Sequence, residues 1–288
     1  MFLIDYAARL LRPVSLVKRV GNDGLAVIKS VYPEKLVGAP GRAIPLQDAG
    51  PVERTILHRG TSGVILAVNV PQLVAKAEKA NGVIEFAPQV GDFVGADEPL
   101  FLLHGGAKAV DEKSLRDCVI FGSERTLEQD PLFAFRILVD IAIKALSAAI
   151  NDPTTGEQLL DRVEDLLTDL VQRDLHTGVF RDDNNIPRLV YPTPTWEDYL
   201  RLGVTEIRLY GGLNPQICRR MAALLENLLE VAPPYRRALI LEEQERLRRN
   251  VEQNFPDPLD RAVASVSDTQ GLGATDLPAY PSSGAQSV

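Results

Sequence analysis

Arg136, Asp140 and Lys144 follow one another at intervals of four along an otherwise apolar stretch, Leu132 to Ile150. That spacing puts them on one stripe of a helix, with Ser147 three residues further on. A cation, a carboxylate and a second cation held together could line a polar groove for an anion or a metal. Asp140 also lies four residues from both cations, so an internal ion-pair ladder is the simplest account, because buried charge needs a partner. Asn151, Asp152, Thr154 and Thr155 come next and crowd polar groups at a helix start. Such a cluster can cap free N–H groups or receive an anion. A carboxylate at the mouth argues against the anion and favours capping.

Other polar groups point to chemistry less directly. A hairpin carrying Arg181, Asp182 and Asp183 could meet Arg136, Asp140, Asn151 and Asp152, and paired carboxylates there could bind a divalent cation through oxygen ligands. Acidic clusters on helices are more often solvated faces. Gly60-Thr61-Ser62-Gly63, behind His58 and Arg59, could cradle a phosphate with backbone N–H groups. It lacks the Gly-x-x-x-x-Gly-Lys pattern, and turn chemistry accounts for it better. His58, His104 and His176 share no motif, and there is no His-Glu-x-x-His or Gly-x-Ser-x-Gly. No catalytic residue is assigned, and the metal and the cofactor are left open.

The elements that would position these residues read as an α+β chain, a small β-barrel-like module followed by a mainly α-helical domain. Residues 1–50 form N-terminal helices and a loop. Phe2 to Leu11 is a short amphipathic helix, and Arg9, Arg12, Lys18 and Arg19 make this end basic, as in a juxtamembrane segment or an ordinary surface helix. Residues 51–125 form the β-rich module. In it Gly63 to Val70 reads as a buried strand, Pro71 to Ala80 as a helix, and Gly82 to Pro88, Phe93-Val94 and Leu100 to His104 as strands. The run PQVGDFVGADEPLFLL resembles half of a biotinyl/lipoyl-type barrel, but no lysine lies between Asn81 and Gly106 to act as the carrier. Arg116 to Gly122 is a further strand.

Residues 126–265 form the helical domain with a hairpin at Val179 to Tyr191. Asp130-Pro131 and Asp152-Pro153 each open a helix, the aspartate accepting from the first turn and the proline having no N–H to leave unpaired. The second helix buries Leu159, Leu160, Val163, Leu166, Leu167, Leu170 and Val171 on one face. Thr195 and Asp198 form a capping box for the next. Helices follow from Asn214-Pro215 to about Val231 and from Tyr235 to about Phe255. Residues 266–288 have the composition of a disordered tail.

The stretch RILVDIAIKALSAAINDPTTGEQLLDRV resembles the signature of the domain-of-unknown-function 2254 family, predicted bacterial membrane proteins. The resemblance extends from about Phe2 to about Phe255. Ala148 stands where the pattern leads one to expect proline, and Thr154 where it leads one to expect an aromatic residue. The family usually carries membrane helices upstream. The resemblance implies either a variant without them or the soluble part of a longer reading frame, which an even number of preceding spans with a cytoplasmic start would leave on the cytoplasmic side. It brings no reaction with it.

Composition narrows the function classes. The 288 residues are 45% hydrophobic and 24% charged, ordinary for a soluble globular protein. A net charge of -8 and the lack of aromatic-basic interleaving disfavour nucleic acid. Cys118 and Cys218 make neither a metal pattern nor a disulfide framework. No signal peptide is visible, and no stretch is long and apolar enough to span a bilayer. Two readings stand: a non-catalytic module of a membrane-associated bacterial protein with binding, gating or assembly duties, or a metal- or phosphate-dependent enzyme of unassigned reaction. The expected partners are a membrane or membrane helices, and self-association is left open.

Overall fold

A computed structural model describes residues 13–36 and 50–269. The expected helix at Phe2 to Leu11, nearly all of the loop after Val37, and the tail beyond 269 lie outside the described residues. The described elements are α1 (Pro13–Val31), β1 (Val52–Leu57), β2 (Gly63–Val68), α2 (Val70–Lys79), β3 (Gly82–Phe86), β4 (Phe93–Val94), β5 (Pro99–Gly105), α3 (Glu112–Arg116) and β6 (Val119–Gly122). Then come α4 (Pro131–Leu146), α5 (Pro153–Leu170), β7 (Val179–Arg181), β8 (Pro187–Val190), α6 (Trp196–Gly211), α7 (Pro215–Val231), α8 (Pro234–Asn254) and α9 (Pro258–Ser265). The chain divides into two compact units. One takes Asn22–Phe135 and Gln172–Tyr199, and the other takes the described parts of Met1–Gly21, Arg136–Val171 and Leu200–Val288.

The first unit is the β-rich one, and it corrects the barrel expectation. It holds a five-stranded sheet in the order β1-β5-β3-β8-β7 and a three-stranded sheet in the order β4-β2-β6, with no closed barrel among the described residues. Closure fails because β2 bonds β4 and β6 rather than the strand that follows it in sequence. The larger sheet is extended instead by the later hairpin, through parallel pairing of Ile84 with Leu189 and Glu85 with Val190. The segment read as a strand from Arg116 begins as the end of α3, and only Val119–Gly122 is extended.

Ile65 and Val94 from the small sheet and Ile84, Phe86, Phe101 and Leu103 from the large one belong to one buried cluster. Where the end of α2 meets the turn after β5, a side chain on Gly106 would come within 1.8 Å of the Ala80 carbonyl oxygen, so only glycine fits. The outer face of the small sheet is unusual. Val64 lies opposite Phe93 and Gly122, which places Leu66 and Ile120 on the same face. Phe93 is 69% exposed and Ile120 55%. An antiparallel sheet with one wet face normally carries polar residues there. β2 reads as a strand buried on both sides, and the unit covers only one of them.

The second unit is helical. α5 packs its leucine face against α7, and α7 packs on α8 and α9. Asp-Pro or Asn-Pro starts three of these helices, with Asp152, Asn214 and Asp257 each accepting from first-turn N–H groups. Arg220 on α7 is buried and grips Asp161 (2.8 Å) and Glu164 on α5. Arg236 on α8 donates to the carbonyls of Leu170 (3.1 Å) and Val171 (2.9 Å), satisfying the C-terminal end of α5.

Two phenylalanines in the β-rich unit should respond oppositely to truncation. Phe86→Ala is expected to cost roughly 3–5 kcal/mol, since it empties a fully buried site. Phe93→Ala should stay within about 0.5 kcal/mol. Denaturant unfolding of the two variants checks this, and equal losses would contradict the burial pattern.

Candidate functional site

The sequence-derived polar stripe sits on α4. Arg136 meets Asp140 one turn on, as the spacing predicts. Its stronger partner is one that the spacing cannot reveal: Glu206 on α6 takes both guanidinium nitrogens, at 2.6 Å and 3.3 Å. Glu206 is the first cause holding the Arg136 guanidinium above its ordinary value, and Arg136 in turn lowers the Glu206 carboxyl. The group lies at the solvent boundary rather than deep in the core, with Arg136 29% exposed, Glu206 42% and Asp140 62%. Lys144 is exposed one turn further on. No ion pair joins it to Asp140 among the described residues, so the expected three-member ladder has one rung on α4 and a second that crosses to another helix.

Asn151 and Asp152 stand past the far end of α4, about 15 Å along the helix axis from Arg136. α4 stops at Leu146, four residues before the apolar run ends. Two of its last carbonyls accept from the following turn, Lys144 from Ser147 N–H and Ala145 from Asp152 N–H, and just past its end the Ser147 carbonyl accepts from Asn151 N–H. Asn151 has φ +48°, a left-handed conformation that asparagine tolerates better than most residues and that turns the chain into the next helix. Asp152 then accepts from Thr155 N–H (3.1 Å) and from the Thr155 hydroxyl (2.6 Å). The Thr155 hydroxyl is the first cause of the lowered Asp152 carboxyl, with the Thr155 backbone N–H next. Capping accounts for this pair.

The hairpin residues serve their own turn in the β-rich unit. Asp182 is buried and accepts from Asn184 N–H (3.0 Å), Ile186 N–H (2.9 Å) and Arg188 Nε (2.8 Å). Arg181 donates to the Asn185 carbonyl, and Asp183 is exposed. The Gly60–Gly63 segment is likewise a turn, with His58 Nε2 at 3.0 Å from the Thr61 carbonyl and the His58 ring stacked on Phe121.

Two polar groupings escaped the sequence reading. In the β-rich unit the hydroxyls of Tyr32 and Tyr199 meet at 3.0 Å in full burial, and the Tyr32 ring packs beside His176. Burial pushes Tyr32 up to about 12 and lowers His176, whose Nε2 sits 2.9 Å from the Val31 carbonyl and must donate there. In the helical unit Glu157 accepts from Gln216 (2.7 Å) and Glu164 accepts from Asn227 (2.7 Å), extending the Arg220 pairing along the α5–α7 seam. These partners lie 59 to 167 residues apart in the chain, beyond any local pattern. Among the described residues no group of three or more histidine, cysteine, aspartate or glutamate side chains is arranged to hold a metal ion.

What this arrangement does chemically is hold helices and turns together, and comparison with other chains sets it in context. The chain belongs to the family described as predicted membrane protein (DUF2254), whose model matches residues 1–227. Uncharacterized proteins of Mycobacterium bovis and Mycobacterium tuberculosis are 31% identical to it over 275 residues, covering 92% of this chain and 52% of each of theirs. The chain thus spans about half the length of these relatives. No solved structure matches. No helix among the described residues is long and apolar enough to cross a membrane.

Two measurements test the geometry. In double-mutant cycles Arg136 should couple to Glu206 more strongly than to Asp140, each within about 1 kcal/mol because the pairs are partly exposed. Asp152→Ala should cost about 1 kcal/mol. Because the folded carboxyl is depressed, that contribution is complete above the unfolded value of about 3.9 and is lost as pH falls through the lower, folded one. Wild type and variant should therefore converge in melting temperature toward the acid end. A gap that persists there would assign the loss to something other than the carboxylate.

Proposed function

We propose that this chain is a non-catalytic module of a membrane-associated bacterial protein and works by binding, gating or assembly. The observation that carries the reading is the commitment of its candidate polar groups to structure, Lys144 excepted: Arg136 to Glu206 and Asp140, Asp152 to Thr155, and Asp182 to its hairpin and Arg188. Chemistry on a substrate needs groups aimed at a site, and these are aimed at their own backbone turns and neighbouring helices. The family description supports the membrane association. Cys118 and Cys218 are both buried free thiols, the state that a reducing compartment maintains, which supports placing the module on the cytoplasmic side.

Cells producing this chain, separated into membrane and supernatant fractions, should yield it with the membranes. Recovery wholly in the supernatant would count against the association. Purified protein should keep its melting temperature in Mg²⁺, Mn²⁺ or nucleotide. A saturating ligand at a hundred times its dissociation constant would add about 2.7 kcal/mol, a shift readily seen, and would turn the reading toward a metal- or phosphate-dependent enzyme.

A further inference from the structure

The small sheet presents an apolar outer face with an acidic border. Phe93 and Ile120 stand exposed on it, and Val64 and Leu66 are half-buried beside them. Leu66 lies across Gly122, where a side chain would come within 2.6 Å of its Cδ1, so the glycine leaves room for the leucine on this face. Beside β4 a hollow of about 490 Å³ is lined by Phe93, Pro88 and Pro99 together with Asp92 and Glu98. Two more acidic residues adjoin the sheet. Glu124 follows β6, and Glu128 precedes Gln129, whose side chain accepts from the Val68 N–H (3.0 Å) at the end of β2. The charge here is one-sided. Residues 58–68, 88–99 and 119–130, which make the sheet and its loops, hold six carboxylates against Arg59 and Arg125. Arg59 is taken by Asp97 at 2.9 Å, and Arg125 by the buried Asp130. That leaves Asp92, Glu98, Glu124 and Glu128, all exposed and none in an ion pair among the described residues, which is half of the chain's net charge of -8.

We infer that this face docks a polypeptide segment in which apolar side chains are flanked by lysine and arginine. The inference gives the binding role proposed above a surface and a class of partner, and it rests on that reading. Charge decides among the occupants. Four unpaired carboxylates around an apolar face repel an anionic lipid surface and the phosphates of a nucleic acid. A second copy of the chain, facing the first across a twofold axis, would set the same acidic border against itself. A cationic segment is attracted instead. Its apolar side chains cover Phe93 and Ile120 while its ammonium and guanidinium groups reach the border, and an arginine there can also stack on the Phe93 ring. On the cytoplasmic side of a membrane, where the module is placed above, segments that flank membrane helices carry an excess of lysine and arginine, so segments of this chemistry are at hand there.

Titration of the purified chain with a synthetic leucine–lysine peptide, and with its leucine–glutamate counterpart as control, tests this. The wild type should bind the lysine peptide and not the glutamate one, with an affinity that falls as salt is raised. Phe93→Ser/Ile120→Ser should bind about tenfold or more weakly, since both side chains give up their burial against the peptide, and should keep the wild-type melting temperature. Asp92→Asn/Glu98→Gln should weaken binding severalfold and flatten its salt dependence. Both amides can still accept from the turn N–H groups of Gln89 and Gly95 that the carboxylates hold. Glu226→Gln/Glu230→Gln makes the same change of net charge on exposed residues of α7 and should bind as the wild type does. A wild type that does not bind, a Phe93 and Ile120 variant that binds at full strength, or an α7 variant that loses as much as the Asp92 and Glu98 one would each overturn the docking face. The non-catalytic reading falls on a different result, a melting-temperature shift with metal or nucleotide. A wild-type dimer that the Phe93 and Ile120 substitutions dissolve, with no peptide binding, would assign the face to a second copy and overturn the inference equally.

Discussion

A guanidinium taken out of water has to be met by carboxylates or carbonyls, and both units are assembled around that demand. Arg220 lies between α5 and α7 with Asp161 and Glu164 on either side. Removing one partner would leave a buried charge uncompensated, which costs far more than the intact pair contributes. Arg188 and Asp182 are the same arrangement in the β-rich unit, both side chains almost wholly buried. There the carboxylate also holds two backbone N–H groups, so a single aspartate shapes the hairpin and neutralises the arginine. Such pairs add little net stability and a good deal of register, because only one seating of the elements satisfies them.

Local punctuation was legible in the sequence. Asp130, Asp152 and Asn214 each precede a proline, and each was found capping the helix that follows. Thr195 and Asp198 exchange the two bonds of a capping box. These signals are readable because donor and acceptor lie within three residues of one another. The apolar face of α5 was equally plain, since helical periodicity needs no knowledge of what covers it.

Pairing over long distances was not legible. Glu206 is 70 residues from Arg136, and nothing in either neighbourhood singles it out. The stripe on α4 suggested a closed ladder because Lys144 stands at the right interval, yet the favourable partner came from another helix and Lys144 stayed in water. The barrel expectation failed for the same reason. The alternation in β2 through β5 announces strands without saying which edges join, and the hairpin that completes the larger sheet lies about a hundred residues downstream. β2 carries a subtler message: its apolar residues point both ways, and only one direction is filled within the unit.

α8 touches distant parts of the helical unit at its two ends. Near its start Arg236 holds the terminal carbonyls of α5, and near its finish Asn250 and Asn254 hold the backbone at Gly212. The two grips are roughly 20–25 Å apart along a continuous rod. An α-helix is stiff along its axis, so a push on the Gly212 loop is delivered to the tail of α5 with little absorbed between them. The rod is a strut that holds the Gly212 loop and the tail of α5 at a fixed separation.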